Sequence, residues 1–211
     1  MDAEDEVSSY ADAAAEAHLA RLDERCVARA LSLGARDGLA LDVGCGPGGV
    51  ALLLARRAPG LSVLGVDVSA RMIAQARRAA REAGLDGRVR FLVGDSKRLG
   101  LASGRFDFVF SNSVLHHLSA PLPALNEIAR VARPRGALLL RDLRRPHGLL
   151  VRFHVAWHGR AYRGTMRRLF EASVRAAYSE PEIADLLRRS TIRGARLFRE
   201  GTSHIGIERS A

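Results

Sequence analysis

The chain contains few lysines, cysteines and aromatic residues. Only one of its 33 basic residues, Lys97, is a lysine, and aromatic residues make up 5% of the 211 residues. The two cysteines, Cys26 and Cys45, are too few for a disulfide framework, which favours a reducing, cytoplasmic setting. No apolar run approaches the roughly 20 residues of a membrane span. The acidic N-terminus also lacks the apolar region of a secretory signal, so we expect neither feature.

Positive charge is concentrated in the last third of the chain. Residues 131–211 carry seventeen arginines against seven acids, whereas residues 1–30 carry three arginines against eight acids. One interpretation is an anionic partner, such as a nucleic acid or a phosphorylated small molecule. The other is a general preference for arginine over lysine, with the guanidinium groups in solvent. We favour the second, because charge balance alone does not define a site.

Strand-like and helix-like segments alternate along the chain. Apolar patterns predict strands over residues 39–44, 61–68, 89–94, 106–112 and 136–143. Amphipathic patterns predict helices over residues 48–58, 69–84, 122–133 and 179–190. Two short strands, "ARLFRE" and "HIGIER", end the chain. We therefore predict a doubly wound, Rossmann-like α/β fold with a seven-stranded, mainly parallel sheet, an antiparallel C-terminal hairpin and a helical lid.

A glycine-rich segment, "LDVGCGPGG", joins the first strand to the first helix of this pattern. Such a loop turns tightly and leaves helix N–H groups facing a ligand. Asp67 ends the second strand, where a carboxylate can accept hydrogen bonds from both hydroxyls of a ribose. Asp95 follows the third strand, and Asp42 precedes the first glycine. Because Asp42 would repel a pyrophosphate and attract a cation, the charges point away from a dinucleotide.

Five segments together resemble the class I S-adenosylmethionine-dependent methyltransferases, especially the ubiquinone/menaquinone C-methyltransferase-like members. The segments are "LDVGCGPGG", "GVDVS", "FLVGDS", "FDFVFSNSVLHHL" and "LNEIARVARPRGALLL", and they cover about residues 38–143. In the last of them Arg135 stands where the common "KPGG" ending has a glycine. The resemblance implies S-adenosyl-L-methionine as the cofactor.

The resemblance also implies roles for particular residues. Asp95 would accept from the adenine amino group beside Ser96, Met72 would pack on the adenine, and Asn112 would face the methionyl group and the reactive methyl. The implied cofactor-binding residues are Asp42, Gly44, Cys45, Gly46, Asp67, Val68, Met72, Asp95, Ser96 and Asn112. Tyr10 resembles the aromatic residue of an N-terminal lid over the methyl group.

We expect one methyltransferase domain over residues 1–211, divided into four parts. A cofactor-binding core spans residues 38–143 and follows an N-terminal helical lid, residues 1–37. A helical cap or substrate insertion spans residues 144–178. A C-terminal helix and hairpin, residues 179–211, completes the domain.

Methyl transfer from a sulfonium requires alignment of the reactants, and a base only where the acceptor must lose a proton. We predict His116, Asp142 and Tyr10 as the catalytic residues. Of the adjacent histidines in "NSVLHHL", we expect His117 to order the loop and His116 to contact the acceptor. His147, His154 and His158 share one face of a predicted helix. No nearby cysteine or carboxylate completes a metal ligand set, so we predict no metal site.

The leading functional hypothesis is methyl transfer to a small-molecule acceptor, with an anionic acceptor as one option. An RNA or other nucleic-acid methyltransferase that uses the basic C-terminal third is an alternative, although an acidic N-terminal lid would repel RNA. A non-catalytic S-adenosylmethionine-binding module is another alternative. The sequence leaves open the methylated atom and the oligomeric state.

Overall fold

A computed structural model of the protein describes residues 13–148, 150–162 and 164–211. Seven strands in this part of the chain form one sheet, in the order β3-β2-β1-β4-β5-β7-β6. The strands are β1 (Asp37–Val43), β2 (Gly60–Asp67), β3 (Val89–Val93), β4 (Phe106–Asn112), β5 (Ala132–Leu143), β6 (Arg196–Glu200) and β7 (His204–Arg209). The helices are α1 (Ala13–Ser32), α2 (Gly49–Arg57), α3 (Ala70–Glu82), α4 (Pro121–Val131), α5 (Leu150–His158), α6 (Gly164–Ala176) and α7 (Glu180–Arg189).

The pairing of the strands confirms the predicted fold class. Strands β1 to β5 are parallel to one another, whereas β7 is antiparallel to both β5 and β6. The order reverses between β1 and β4, which is the switch point where open α/β sheets bind ligands at the carboxyl ends of the strands. The predicted site residues must therefore be sought at this edge of the sheet.

Two apolar clusters fill the space on either side of the sheet. On one face, α1, α2 and α3 pack through small residues such as Ala30, Ala51 and Ala76, all of which are buried. On the other face, α4 and α7 pack through larger side chains such as Ile128 and Ile183. Burial of this apolar surface is the main stabilising term for the fold and holds the carboxyl edge of the sheet rigid.

Several predicted boundaries differ from the structure near a proline. The sequence predicts a helix to residue 133 and a strand from residue 136, but α4 ends at Val131 and β5 begins at Ala132. Pro134 disfavours helical backbone in the preceding residue, so the chain extends early. The pairing with β4 shifts there, since Phe106 pairs with Ala132 and Phe108 with Ala137.

The parts expected to cover the site differ in how they pack. The second half of α1 belongs to the core, because Cys26, Val27 and Ala30 are buried there. Between residues 144 and 178 the described residues include the helices α5 and α6, next to a small cluster of Tyr162 and Met166. Their roles as lid and cap stay predictions. No helix in the described ranges is long and apolar enough to cross a membrane.

Candidate functional site

The glycine loop after β1 has one crowded side and one open side. Gly44 has a φ of 75°, and a Cβ added there would lie 2.4 Å from a methyl carbon of Val114. Gly46 has a φ of 51°, and a Cβ added there would meet nothing within 4 Å. Both φ values are positive, so both positions have the left-handed backbone that favours glycine. Gly44 permits close packing against the loop that follows β4, while Gly46 leaves the backbone accessible to a ligand.

Asp67 ties this loop to the end of β2. Its Oδ2 accepts a hydrogen bond from the Gly46 N–H at 2.9 Å, and its Oδ1 accepts from the Ser69 N–H at 2.9 Å. A carboxylate oxygen has lone pairs beyond the one each bond uses, so Asp67 can also accept from a vicinal diol. Val68, the next residue, is 75% exposed and offers an apolar surface beside these oxygens. Met72 lies under the same edge and is buried.

Cys45, Asp95 and Ser96 differ in what they present. The Cys45 side chain is buried and its thiol donates to the Gly46 carbonyl at 3.7 Å, while burial raises the pKa of that thiol. Only the backbone of Cys45 is thus suited to ligand binding. Asp95 is exposed, Ser96 is half-buried, and Asp95 Oδ1 accepts from the Lys97 N–H at 2.9 Å. Asp95 stands beyond the end of β3, two residues from Val93.

Asp42 and Asp23 place two carboxyl groups beneath the loop. Asp42 in β1 is 2% exposed, and burial, with the nearby charges of Asp23 and Asp67, raises its pKa well above the usual range. Asp23 comes from α1, and its Oδ2 would lie 3.2 Å from a Cβ added to Gly49 at the start of α2. Burial raises the pKa of Asp23, the nearby Arg141 opposes this shift, and the resulting pKa is about 6.

Asp23 was not predicted, yet the sequence carries a signal for it. Asp23, Cys26, Val27 and Ala30 follow the i, i+3, i+4, i+7 spacing of one helix face, and the last three are buried. Burying an ionised acid on such a helix face is unfavourable unless a cation binds to it. Asp23 is therefore a candidate for contact with a positively charged ligand group.

Replacing Asp23 by Asn is expected to stabilise the free protein at pH 7.5 and to have little effect near pH 4. Because the folded-state pKa is raised from 3.8 to about 6, the native state binds more protons than the unfolded state between these values. Wild-type stability then falls as the pH rises through this window. The expected gain at pH 7.5 is about 2 kcal/mol, reduced from the full pKa shift because the side chain is partly exposed.

Urea unfolding of Asp23→Asn at both pH values measures this difference. The matched control is Glu24→Gln, because Glu24 is the exposed neighbour and its ion pair with Arg57 lies at the surface. Equal stability of Asp23→Asn and wild type at both pH values would show that Asp23 ionises without cost.

A fully buried arginine organises the ends of β4, β5 and β6. Arg141 donates through Nη1 to Asn112 Oδ1 at 2.8 Å, and through Nη2 and Nε to the two Glu200 oxygens at 2.8 and 3.1 Å. This bond fixes the orientation of the Asn112 amide, whose NH2 group is a donor. Ser113, next in the chain, has a φ of 59°, a left-handed conformation that is uncommon outside glycine. Such backbone is concentrated at functional sites.

His116 and Asp142 form a buried pair at the same edge. His116 Nδ1 lies 2.6 Å from Asp142 Oδ1, and the His116 N–H donates to Asp142 Oδ2 at 3.2 Å. The side chains are 4% and 2% exposed. The carboxylate favours the tautomer that carries the proton on Nδ1, so Nε2 is left as the acceptor. A histidine held in this way is suited to act as a general base.

The adjacent histidines lie in different surroundings. His116 is buried and bonded to Asp142, so it orders the loop, whereas His117, which was expected to order the loop, is exposed. Contact of His116 with the acceptor stays a prediction. The residues lie in a 3₁₀ turn, Leu115–His117, after a residue with positive φ, and this geometry turns the first ring inward. The structure brings the predicted catalytic residues His116 and Asp142 together, and their catalytic role stays a prediction. Tyr10 lies outside the described residues.

Within the described ranges, no group of three or more His, Cys, Asp or Glu side chains is placed to hold a metal ion. Of the three histidines considered for zinc, His154 and His158 have ring centroids 4.4 Å apart, while His147 is exposed outside α5. Two neighbouring imidazoles without a third ligand do not make a closed zinc site.

Three comparisons relate the chain to known proteins. A model of the methyltransferase domain family matches residues 41–140. A demethylmenaquinone methyltransferase from Thermus thermophilus is 39% identical over 106 residues, which cover 50% of this chain and 47% of that protein. The chain spans less than half the length of the curated relatives it matches.

Solved structures extend the similarity to most of the fold. A crystal structure of a SAM-dependent methyltransferase from Aquifex aeolicus superposes with a TM-score of 0.67 at 25% identity, covering 86% of this chain and 87% of that one. The [4+2]-cyclase SpnF superposes with a TM-score of 0.57 at 32% identity, covering 61% of this chain and 46% of that one.

The sheet order and the acid-lined glycine loop at its switch point define a Rossmann-like domain that binds a nucleoside-containing cofactor. Residues 41–140 match the methyltransferase domain family, and the chain is similar in sequence and in fold to S-adenosylmethionine-dependent methyltransferases. S-adenosylmethionine is the cofactor of this family. The resemblance and the fold class predicted from the sequence are thus confirmed.

Proposed function

We propose that this protein transfers the methyl group of S-adenosylmethionine to a small-molecule acceptor that loses a proton on methylation, such as a hydroxyl compound. The observation that carries the proposal is the buried His116–Asp142 pair. It lies in the loop whose Val114 packs against Gly44 of the glycine loop, so a base stands beside the cofactor loop. An acceptor that needed no deprotonation would not require such a pair.

The residues of the site fit the chemical groups of the cofactor. Asp67 would accept from the ribose hydroxyls, and the exposed face of Val68 would pack on the adenine. Gly46 leaves open space where a Cβ would stand, which suits close approach of the methionyl group. Burial raises the pKa of the Asp42 and Asp23 carboxyls, and a ligand that carries an ammonium and a sulfonium would favour their ionised form.

Bound S-adenosylmethionine supplies an electrophilic methyl group. In the proposed reaction His116 Nε2 would take the proton that the acceptor loses as it gains this methyl group from the cofactor. Asp142 holds the proton on Nδ1 and stabilises the imidazolium that forms, so it is a positioning residue. Asn112 would donate through its NH2 group to the methionyl group or the acceptor, because its bond from Arg141 fixes the orientation of the amide.

The distribution of ion pairs supports a small molecule over RNA. Many arginines of the basic C-terminal third are paired with acids of the same third, which lowers the charge available to a phosphate backbone. These pairs include Arg141–Glu200, Arg145–Glu182, Arg175–Glu171, Arg188–Asp185, Arg196–Glu208 and Arg199–Glu180. An RNA methyltransferase would instead show binding that weakens steeply with salt.

Replacing Asp67 by Ala is expected to weaken cofactor binding about a hundredfold from a micromolar wild-type value. The variant loses a charged acceptor for the ribose and the hydrogen bond that fixes Gly46, and each charge-assisted bond contributes about 1.5–3 kcal/mol. Calorimetric titration with S-adenosylmethionine measures the change.

Two further variants make this test specific. Asp67→Asn keeps one acceptor oxygen and should lose less affinity, while Asp86→Ala removes an exposed acid elsewhere and should bind as wild type does. Unchanged affinity in folded Asp67→Ala would contradict the assignment of the cofactor site.

A further inference from the structure

Helix α5 has an unusual distribution of polarity. It buries His154, which is 9% exposed, and half-buries His158, but it leaves Phe153 73% and Trp157 62% exposed. A helix that only packed on the core would turn its aromatic rings inward and its imidazoles outward. The inward imidazoles therefore call for an explanation other than core packing.

His154 and His158 belong to a group of four imidazoles, which we call the imidazole pocket. The others are His18 of α1 and His204 at the start of β7. The His154 and His158 rings lie 4.4 Å apart, and the His18 ring contacts Tyr162 with centroids 5.4 Å apart. His204 is 3% exposed.

The imidazole pocket lies next to the proposed active site. His204 pairs with Leu143 in the sheet, one residue beyond Asp142 of the catalytic pair. The neighbouring turn supplies Thr202, whose Oγ1 lies 3.0 Å from His158 Nε2. Because successive residues of a strand point to opposite faces, His204 and Asp142 lie on opposite faces of the sheet, and a molecule that reached both would span its carboxyl edge.

One polar atom of the pocket lacks a partner. His154 Nε2 is buried and forms no hydrogen bond in the described part of the chain. Leaving a buried donor or acceptor unsatisfied costs about 1–3 kcal/mol, so a ligand that bonds to it gains this amount. The His158 ring lies within hydrogen-bonding distance of the Thr202 hydroxyl, and the His204 ring lies within hydrogen-bonding distance of the Ser203 hydroxyl.

The charged groups facing the pocket are cationic. Burial, together with neighbouring imidazoles and arginines, lowers the pKa of His154 to about 4 and that of His204 to about 2. Burial also lowers the pKa of His18 and of His158. The arginines that act on these rings are Arg21, Arg25, Arg141, Arg144 and Arg160.

Among the residues that the structure describes, only Arg141 of these arginines has an acidic partner, Glu200. Arg144 donates instead to the Thr202 carbonyl oxygen, from Nη2 at 3.0 Å and from Nε at 3.3 Å. The guanidinium carbon of Arg160 lies 3.8 Å from the centroid of the Trp157 ring. Buried imidazoles that repel one another beside unpaired guanidinium groups provide the environment that an oxyanion would stabilise.

We propose that the imidazole pocket binds an oxyanion, a carboxylate or a phosphate, on the methyl acceptor. Binding would give His154 Nε2 a partner and place a proton on a pocket imidazole. The assignment to the acceptor rests on the function proposed above, whereas oxyanion binding itself does not require the cofactor or methyl transfer.

Calorimetric titration with sodium sulfate, without cofactor and at constant ionic strength, tests the pocket. Sulfate keeps its charge between pH 5.5 and pH 8, so any pH dependence arises from the protein. Since the free imidazoles are neutral and a bound anion favours their protonation, sulfate should bind more tightly at the lower pH, by up to about tenfold per pH unit for each proton taken up. Phosphate and malonate titrations distinguish the two classes of oxyanion.

His154→Phe provides the decisive variant, because it retains the ring and removes the unpartnered nitrogen. Sulfate affinity should fall at least about tenfold, while stability in sulfate-free buffer should be unchanged or higher. A purely structural role for His154 would instead lower stability. The matched control is His147→Phe, since His147 is exposed beyond the helix.

The outcomes separate the pocket from the proposed function. The proposal that the imidazole pocket binds an oxyanion would be overturned by any of three results. These are absence of sulfate binding, equal sulfate binding by His154→Phe and wild type, and sulfate binding that does not vary with pH. Sulfate binding that follows the prediction, in a protein that transfers no methyl group, would support the oxyanion site and contradict the proposed function.

Discussion

His116→Ala is expected to transfer labelled methyl groups into a metabolite extract about a hundredfold to ten-thousandfold more slowly than wild type, with unchanged affinity for S-adenosylmethionine. A positioned general base contributes rate factors of about this size. His116 is bonded to Asp142 and not to the glycine loop, so its removal should affect the transfer step and leave cofactor binding intact.

The structure supplies matched controls for this experiment. His117→Ala removes the adjacent, exposed imidazole and should retain the wild-type rate. Asp142→Asn keeps the shape of the partner but removes its charge, so it should lose rate as well, by acting through His116. Full activity in a folded His116→Ala variant would exclude His116 as the base.

Alanine at Gly44 and at Gly46 is expected to have opposite effects. At Gly44 the new Cβ would lie 2.4 Å from Val114, so the loops must separate, and the protein should lose about 3 kcal/mol of stability. At Gly46 the new Cβ meets no protein atom, and only the left-handed backbone costs about 1 kcal/mol. The added methyl would nevertheless occupy the space proposed for the methionyl group.

Gly46→Ala should therefore fold and lose most of its cofactor affinity, while Gly44→Ala should be destabilised even without cofactor. Urea unfolding and calorimetric titration of both variants distinguish these effects. Wild-type cofactor affinity in Gly46→Ala would mean that the open side of the loop does not face the cofactor.

The sequence carries most of the information about the fold because its signals are local. Apolar runs bounded by turn residues located all seven strands, and the hairpin prediction included the residues of β7. The end of α4 was placed two residues late, since the pairing shift near Pro134 depends on β4, which is distant in the chain.

The site was predictable only where its residues belong to the glycine loop or to the end of a strand. Glu200 meets Arg141 across 59 positions, and this contact requires the β5–β7–β6 pairing. Adjacent histidines carry no signal for which one turns inward, because that depends on the 3₁₀ turn and on Asp142. Asp23 was missed because the N-terminal helix was treated as a cover, although its apolar stripe continues into the core.

The most direct test of the account is to incubate the protein with methyl-labelled S-adenosylmethionine and a cell extract, and to follow the label by mass spectrometry. The account predicts that label appears in a small molecule, on an atom that has lost a proton, and that this molecule carries a carboxylate or a phosphate. Label confined to RNA, or no labelled product from protein that binds the cofactor, would contradict it.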